Sequence, residues 1–268
     1  MGLDIITQRH CEVKEEIPQE LLLKQILERN RGFAVFKMIV NSGKTQQEAL
    51  ETTFTFSSQR NDEVVNTELK VGDLINRTSH LDKLGEKCKN CVISQNNKFG
   101  CIGYISYPIS YKCEQWLASI SETSNKKGPP FSSMLDYIQE SKIMGNRTKE
   151  MRDLNRTFLE SPNPVEILIE KNFFKKKTID TNKLLEVIFL EGLMQTTHIN
   201  YLLMLFGGLI SDPKKPDDRP SKFNDEVGQH IYLGLNLPKD HDKSMIEFYN
   251  YFNHLFLALM YDHDVFMH

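Results

Sequence analysis

The spacing of the apolar residues changes near residue 120, and this change restricts the possible folds more than any other feature of the chain. Before it, apolar residues form short runs typical of β-strands, such as "GLDIITQ" at 2–8 and "ETTFTFSS" at 51–58. After it, they recur three or four positions apart, as along one face of a helix. We therefore predict an α+β fold, in which antiparallel strands with a few helices and a cysteine-rich loop precede a mostly helical region.

A polar segment marks the predicted boundary between these two regions. The stretch "SETSNKKGPP" at 121–130 lacks large apolar residues and ends in Gly-Pro-Pro, which breaks regular structure. A chain of 268 residues is long enough for two domains that each bury a core. We predict an α+β domain with the cysteine cluster over 1–120, a linker over 121–130 and a helical domain over 131–268.

Several elements of the first region follow from local patterns. The stretch 18–30 predicts a helix that Gly32 ends, and "GFAVFKMIV" at 32–40 predicts a buried strand that pairs antiparallel with 51–58. Thr45 and Glu48 have the spacing of a capping box, which predicts a helical turn between these two strands.

The second region is predicted to have a core of two long helices packed together. The first runs from about Asn182 to Phe206, and the second follows a capping residue, Asp242, over 242–262. The stretch "VEILIEK" at 165–171 is predicted to be helical as well.

Charge and hydropathy make some classes of partner improbable. The 33 Lys and Arg residues against 36 Asp and Glu residues give a net charge of −3, so there is no clear signal for nucleic-acid binding. The most apolar stretch, 189–210, is interrupted by polar residues and lacks the roughly 20 apolar residues that a membrane span needs. The start has no signal-peptide pattern. We expect a cytoplasmic chain without a membrane span, and another protein as its partner.

Four of the five cysteines lie close together in the sequence, and their spacing predicts a metal site. Cys88 and Cys91 form a C-x-x-C pair, in which two thiolates can bind one zinc ion. Cys101 and Cys113 follow singly and could complete a tetrahedron. We predict a structural zinc ion bound by Cys88, Cys91, Cys101 and Cys113.

The second half of this ligand set depends on the path of the chain. If the chain reverses as a hairpin near Tyr107 and Pro108, Cys101 and Cys113 face each other. If the strand continues straight, they are far apart at about 3.3 Å per residue, and His80 or Cys11 could supply the fourth ligand instead.

The spacing of the cysteines allows three other interpretations. A disulfide framework is disfavoured because no export signal is present. A thioredoxin-like redox pair is disfavoured because the C-x-x-C does not start a helix after a strand. The cysteines could also be small buried side chains that bind no ligand.

The search for catalytic residues gives only weak candidates, and the sequence contains no G-x-S-x-G, P-loop, G-x-G-x-x-G or H-E-x-x-H motif. On the predicted helix 182–206, the side chains of Glu191, Gln195 and His198 would form one stripe, which is either a solvent-facing strip or a polar site. At the end of the chain, only His263, Asp264 and His268 could form a local site, and such ends usually fray.

These observations lead to two functional hypotheses. The first is a non-enzymatic intracellular protein that interacts with or regulates another protein and contains a structural zinc site. The alternative is a metal-assisted hydrolase of unknown substrate that uses polar residues of the C-terminal helices.

Overall fold

Helices and antiparallel strands build an α+β fold, as the change in apolar spacing predicted. The structure is a computed structural model, and it describes residues 2–60, 63–94, 98–125, 138, 141–154, 156–171, 176–189, 192–206, 208–212, 221–224 and 229–267. The chain divides into two compact units. Residues 10–100 form the inserted unit, and residues 1–9 together with 101–268 form the larger unit.

The helices and strands are named here in chain order. The helices are α1 (Glu12–Glu16), α2 (Gln19–Asn41), α3 (Gln46–Glu51), α4 (Val71–Arg77), α5 (Leu81–Glu86), α6 (Tyr111–Asn125), α7 (Asn146–Asp153), α8 (Thr181–Ile188), α9 (Thr196–Leu205) and α10 (Lys243–Met260). The strands are β1 (Gly2–Thr7), β2 (Thr53–Arg60), β3 (Glu63–Lys70), β4 (Ile102–Ser106), β5 (Glu166–Lys171), β6 (Lys176–Asp180), β7 (Gly192–Met194), β8 (Leu209–Asp212), β9 (Ser221–Asn224), β10 (Gln229–Leu233) and β11 (Val265–Met267). Among the helices of the described residues, none is long and apolar enough to cross a membrane.

The larger unit is organised around a four-stranded antiparallel sheet with the order β4-β1-β11-β7. Strand β1 pairs Leu3 with Ile105 of β4 and Ile5 with Met267 of β11. These four side chains are buried in one hydrophobic core, because alternate residues of a strand point to the same face. Segments from the two ends of the chain and from its middle thus form one sheet.

Helix α10 packs against this sheet and carries much of the core. Asp242 caps the helix as predicted, because its Oδ1 accepts a hydrogen bond from the Met245 N–H at 2.9 Å. The rings of Phe248, Phe252 and Phe256 are all buried. Helix α9 packs on α10 where the rings of Phe206 and Phe252 lie 4.9 Å apart. Elsewhere in the larger unit, β5 pairs with β6, and β8, β10 and β9 form a small antiparallel sheet.

The inserted unit corrects one sequence prediction. Residues 32–40 are not a strand, because α2 continues from Gln19 through Gly32 to Asn41. Gly32 does not end the helix, and its missing side chain leaves room for α4. A methyl group there would lie 3.1 Å from Leu74 Cβ and 3.3 Å from Ile75 Cγ1. Strand β2 therefore pairs with β3 instead. The capping box of Thr45 and Glu48 is present and starts α3, which confirms that prediction.

Two predictions for the second region are also corrected. The helix predicted over 182–206 is interrupted, because α8 ends at Ile188 and β7 precedes α9. Gly192 has a φ of +104°, a left-handed conformation that other residues rarely adopt, and it opens the short strand that extends the sheet beside β11. The stretch 165–171 contains strand β5 rather than a helix.

The division into units falls at other places than the predicted boundary. It lies after Arg9 and after Gly100, whereas the prediction placed a domain over 1–120, a linker over 121–130 and a domain over 131–268. The physical reason is that β1 forms hydrogen bonds with β4 and β11, which draws the first residues into the larger unit. Helix α6 extends to Asn125, into the predicted linker, and the rest of that linker lies outside the described residues.

Candidate metal centre

Cys88 and Cys91 lie in the inserted unit, in a series of tight turns that follows α5. The Cys91 N–H donates to the Cys88 carbonyl at 3.0 Å, and the Ser94 N–H donates to the Cys91 carbonyl at 3.0 Å. This backbone path keeps the two cysteines within one turn of each other. We call residues 88–94 the cysteine turn.

The cysteine turn is closed on itself by a buried hydroxyl. Ser94 Oγ donates to the carbonyls of Cys88 and Cys91 at 2.8 and 3.0 Å. Gly100 packs against the same serine, because a methyl group on Gly100 would lie 2.4 Å from the Ser94 carbonyl oxygen. Only a residue without a side chain fits there. The ends of the segment are thus held together without a regular helix or strand.

The environment of the Cys88 thiol has opposing effects on its ionisation. Burial raises the pKa of Cys88, whereas a hydrogen bond from the Phe99 N–H favours the thiolate and lowers this pKa. The negative charges of the Cys91 and Cys11 thiolates raise the pKa further. A zinc ion would reverse this balance, since a cysteine that binds a metal ion is deprotonated.

Cys11 and His80, the two alternative ligands, also belong to the inserted unit. Cys11 directly precedes α1 and is half-buried. His80 directly precedes α5, and its Nε2 lies 3.0 Å from Gln25 Oε1 of α2.

Cys101 and Cys113 belong to the larger unit. Cys101 directly precedes β4, and its carbonyl accepts a hydrogen bond from the Thr7 N–H at 2.9 Å. Cys113 lies in the first turn of α6, and its side chain is fully buried in the hydrophobic core beside Leu117. Burial raises the pKa of the Cys113 thiol well above its ordinary value, and the nearby carboxylates of Asp242, Glu114 and Glu247 add to the effect.

The hairpin that would bring Cys101 and Cys113 together is not formed. After β4 the chain enters α6 instead of returning as a second strand. Helix α10 runs along β4, with the Ser106 N–H bonded to Glu247 Oε2 at 2.7 Å and Gly103 packed against the ring of His254.

Cys113 lies near Asp242 at the start of α10, whereas Cys101 lies beyond Gly103 and therefore toward the other end of this helix. Residues 242 and 254 are separated by about 18 Å at 1.5 Å per residue. The structure therefore does not bring Cys101 and Cys113 together. Within the described ranges no three or more His, Cys, Asp or Glu side chains are arranged to hold a metal ion. Zinc binding by the four cysteines stays a prediction.

The candidate hydrolase residues are not aligned along one helix. Gln195 is exposed and precedes α9, while His198 lies in the first turn of α9 and is half-buried. Glu191 lies outside the described residues. Burial lowers the pKa of His198, which favours its neutral form.

Two residues of the predicted tail site, His263 and Asp264, directly precede strand β11. The Asp264 carbonyl accepts a hydrogen bond from the Gln8 N–H at 2.7 Å, and the His263 N–H donates to the Ala258 carbonyl at 2.9 Å. Strand β11 follows at once, so this segment is held in place by backbone pairing on both sides. His268 lies outside the described residues.

Sequence reasoning missed a buried ion pair in the larger unit. The Arg152 guanidinium of α7 donates to both carboxylate oxygens of Glu114 of α6, at 3.0 and 2.7 Å. It also donates to Asn182 Oδ1 at 3.0 Å and to the Ser161 carbonyl at 2.7 Å, while Thr181 Oγ1 donates to Glu114 at 2.8 Å. No local pattern marks these residues, since a single charge in an amphipathic helix is ordinarily exposed.

A second polar cluster joins the starts of two helices. Ser110 Oγ accepts a hydrogen bond from the Cys113 N–H at 3.0 Å at the start of α6, and it donates to Asp242 Oδ2 at 2.5 Å. Ser244 Oγ accepts a hydrogen bond from the Ser110 N–H at 3.2 Å. The cap of α10 and the cap of α6 therefore support each other.

Comparison with known proteins assigns no role to any of these residues. The chain matches no family model, no curated protein and no solved structure.

Proposed function

We propose that the chain is a non-enzymatic cytoplasmic protein that binds another protein, and that a structural zinc ion held by Cys88 and Cys91 stabilises its inserted unit. Cys101 and Cys113, the other members of the predicted ligand set, belong to the larger unit. The proposal is therefore limited to the cysteines of the inserted unit.

The non-enzymatic part of the proposal is supported by the hydrogen bonds and ion pairs that the buried charged side chains form. Among the described residues, the charged residues that are buried as a whole are Glu114, Arg152 and Glu247, while one carboxylate oxygen of the partly buried Glu186 is also buried. Glu114 and Arg152 bind each other in bidentate geometry. Glu247 accepts hydrogen bonds from the Ser106 N–H and hydroxyl at 2.7 Å, and Lys243 lies 3.4 Å from it. A catalytic acid or base needs a proton-transfer path to a substrate, whereas these groups bind their own helices and strands.

The zinc part is supported by the shape of the cysteine turn. Its two cysteines share one turn, and the Phe99 N–H donates to the Cys88 sulfur. Such a hydrogen bond stabilises a thiolate, which is the form that binds zinc at about 2.3 Å. A bound ion would also stabilise a segment that otherwise depends on turns and on the hydroxyl of Ser94.

Metal analysis of the purified protein tests the zinc part. We expect about one zinc ion per chain, lost in Cys88→Ser and Cys91→Ser, together with a lower unfolding temperature after chelation. Lys89→Gln is the matched control, because this exposed residue of the same turn forms an ion pair with Glu86 and its replacement leaves both thiols in place. Metal-free wild-type protein whose unfolding does not respond to a chelator would refute this part.

The non-enzymatic part is tested with the same protein in two assays. We expect affinity capture with the zinc-loaded protein to recover a defined partner that the chelated protein loses. Turnover of simple phosphoester, ester or peptide substrates above that of a heat-denatured control would contradict the assignment.

A further inference from the structure

We infer that Cys88 and Cys91 form a reversible disulfide within the cysteine turn when the protein is exposed to a low-molecular-weight disulfide such as oxidised glutathione, so that the turn is a redox switch. The disulfide itself depends only on the two thiols and the turn. Its consequence, the release of zinc, rests on the proposed zinc site, because a sulfur atom in a disulfide is no longer a thiolate ligand.

The backbone of the cysteine turn places the two residues at a separation that a disulfide can span. The Cys91 N–H donates to the Cys88 carbonyl at 3.0 Å, which closes a turn of four residues. The Cα atoms of the first and last residues of such a turn lie less than about 7 Å apart, and those of two residues joined by a disulfide usually lie about 4.4–6.8 Å apart. Both thiols are free in this structure. The separation of the two residues therefore permits a disulfide.

Two further contacts hold this turn in place. The buried Ser94 Oγ donates to the carbonyls of both cysteines, at 2.8 and 3.0 Å, so that one hydroxyl fixes both residues. Gly100 lies so close to Ser94 that a methyl group on it would come within 2.4 Å of the Ser94 carbonyl oxygen. A turn that holds two thiols near each other raises the effective concentration of one for the other, which favours one internal disulfide over two mixed disulfides.

The different exposure of the two thiols assigns their roles. Cys91 is partly exposed, whereas Cys88 is only 7% exposed, so a reagent in solution reaches Cys91 first. The Cys91 thiolate attacks one sulfur atom of oxidised glutathione, the S–S bond of the reagent breaks, and one glutathione leaves as a thiolate. The Cys88 thiolate then attacks the Cys91 sulfur atom and displaces the second glutathione.

The two steps balance as a transfer of two electrons. The cysteine pair loses two electrons and two protons, and oxidised glutathione gains them to become two thiols. An excess of reduced glutathione reverses both steps, so the state of the turn follows the ratio of the two forms of glutathione. Disulfides of this transient kind occur in cytosolic proteins, where permanent ones are rare.

The position of the pair distinguishes a switch from a redox enzyme. In a thioredoxin-like enzyme the C-x-x-C starts a helix, whose first amides stabilise a thiolate, whereas here the pair follows the end of α5 at Glu86. Cys88 and Cys91 are also the only two cysteines of the chain that are close enough in sequence to share one turn. The turn is therefore suited to form its own disulfide rather than to oxidise a substrate.

Oxidation of the metal-free full chain in glutathione buffers, followed by alkylation and mass spectrometry, tests the disulfide. We expect Cys88 and Cys91 to lose their alkylation together, and trypsin, which cuts after lysine, to release residues 88–89 linked to 90–98 until a reductant separates them. Cys11→Ser is the matched control, because it removes another partly exposed cysteine and should leave this linkage unchanged. Full alkylation of Cys88 and Cys91 at every glutathione ratio, or a bond from either of them to another cysteine, would overturn the inference.

Two single variants test the order of attack. Cys88→Ser should accumulate one glutathione on Cys91, because the second step is removed, whereas Cys91→Ser should leave the buried Cys88 unmodified over the same time. Addition of glutathione to Cys88 as fast as to Cys91 would overturn the assigned roles. Circular dichroism of the reduced variants checks that both substitutions leave the fold intact.

Zinc release separates the switch from the proposed zinc site. If both exist, oxidation of the zinc-loaded protein should release about one zinc ion per chain to a coloured chelator, and a reductant should restore binding. A disulfide in a protein that binds no zinc would refute the zinc site and leave the switch standing. Zinc binding by a protein that forms no disulfide at any glutathione ratio would refute the switch and leave the zinc site standing.

Discussion

Removing one partner of the buried pair of Glu114 and Arg152 should cost far more stability than removing one partner of an exposed ion pair among the described residues. The exposed fraction of these two side chains is 0% and 2%. Removing one partner leaves a charge buried without its counterion, which typically costs about 3–5 kcal/mol. Since small domains are stable by roughly 5–15 kcal/mol, Glu114→Gln or Arg152→Met should remove a large share of the stability of the larger unit.

The structure also predicts how the two substitutions combine. In Arg152→Met the Glu114 carboxylate retains only the Thr181 hydroxyl at 2.8 Å, whereas in Glu114→Gln the guanidinium keeps Asn182 and Ser161 but loses its countercharge. The double variant contains neither isolated charge. Its loss of unfolding free energy should therefore be smaller than the sum of the losses in the two single variants by about 2–3 kcal/mol, a coupling typical of residues in one network.

Urea unfolding followed by tryptophan fluorescence measures the loss of stability in the larger unit, which contains Glu114 and Arg152. The single tryptophan, Trp116, lies on α6 in the larger unit, two residues from Glu114. The matched control is the partly exposed pair of Arg77 and Glu28, at 3.1 Å in the inserted unit, whose removal should cost less than about 1 kcal/mol by circular dichroism. Single losses of that same small size at Glu114 and Arg152, or strictly additive losses, would refute the reasoning.

Three further predictions concern the larger unit. Asp242→Ala should destabilise it by about 1–2 kcal/mol in urea, because the carboxylate caps α10 and also accepts a hydrogen bond from Ser110, and Asp242→Asn should lose less because it keeps an acceptor. Burial lowers the pKa of His198 in the folded chain below the value of about 6.5 expected in the unfolded chain. Above about pH 6.5 the histidine is neutral in both states and does not change stability. Below that pH the unfolded state binds more protons, so stability should fall as the pH drops. Thermal unfolding of His198→Gln should show a smaller decline over that range, and an identical decline would exclude this histidine as the cause. Alkylation of the native, chelated protein should modify Cys11 and Cys91 long before Cys113. Burial of Cys113 raises the pKa of its thiol and blocks access of the reagent. Early modification of Cys113 in the mass spectrum would contradict its placement in the core.

Features that depend on a few neighbouring residues were predictable from the sequence. The capping box of Thr45, the cap at Asp242 and strand β1 are all present, because each follows from side chains within a few positions of the backbone groups they affect. In the candidate site, the C-x-x-C pair was found for the same reason. Its two thiols are close in sequence and share one turn.

Features that depend on distant segments were predicted wrongly or not at all. Gly32 would ordinarily weaken a helix, but here it lies inside α2, where its missing side chain leaves room for α4. The apolar run from 182 to 206 fits one helix, yet Gly192 and pairing with β11 divide it. No pattern near Glu114 indicates that Arg152, thirty-eight positions away, is its partner.

The sequence by itself determined that the fold combines helices with antiparallel strands, where α3 and α10 begin, and that Cys88 and Cys91 lie within one turn. These follow from local hydrogen bonding and from the period of apolar residues, which a short segment already contains. Only the tertiary structure decided that the first and last strands share a sheet and that Cys113 is buried in the core. Each of these depends on contacts between segments far apart in the chain, and such contacts are set by how all the elements bury their apolar faces at once.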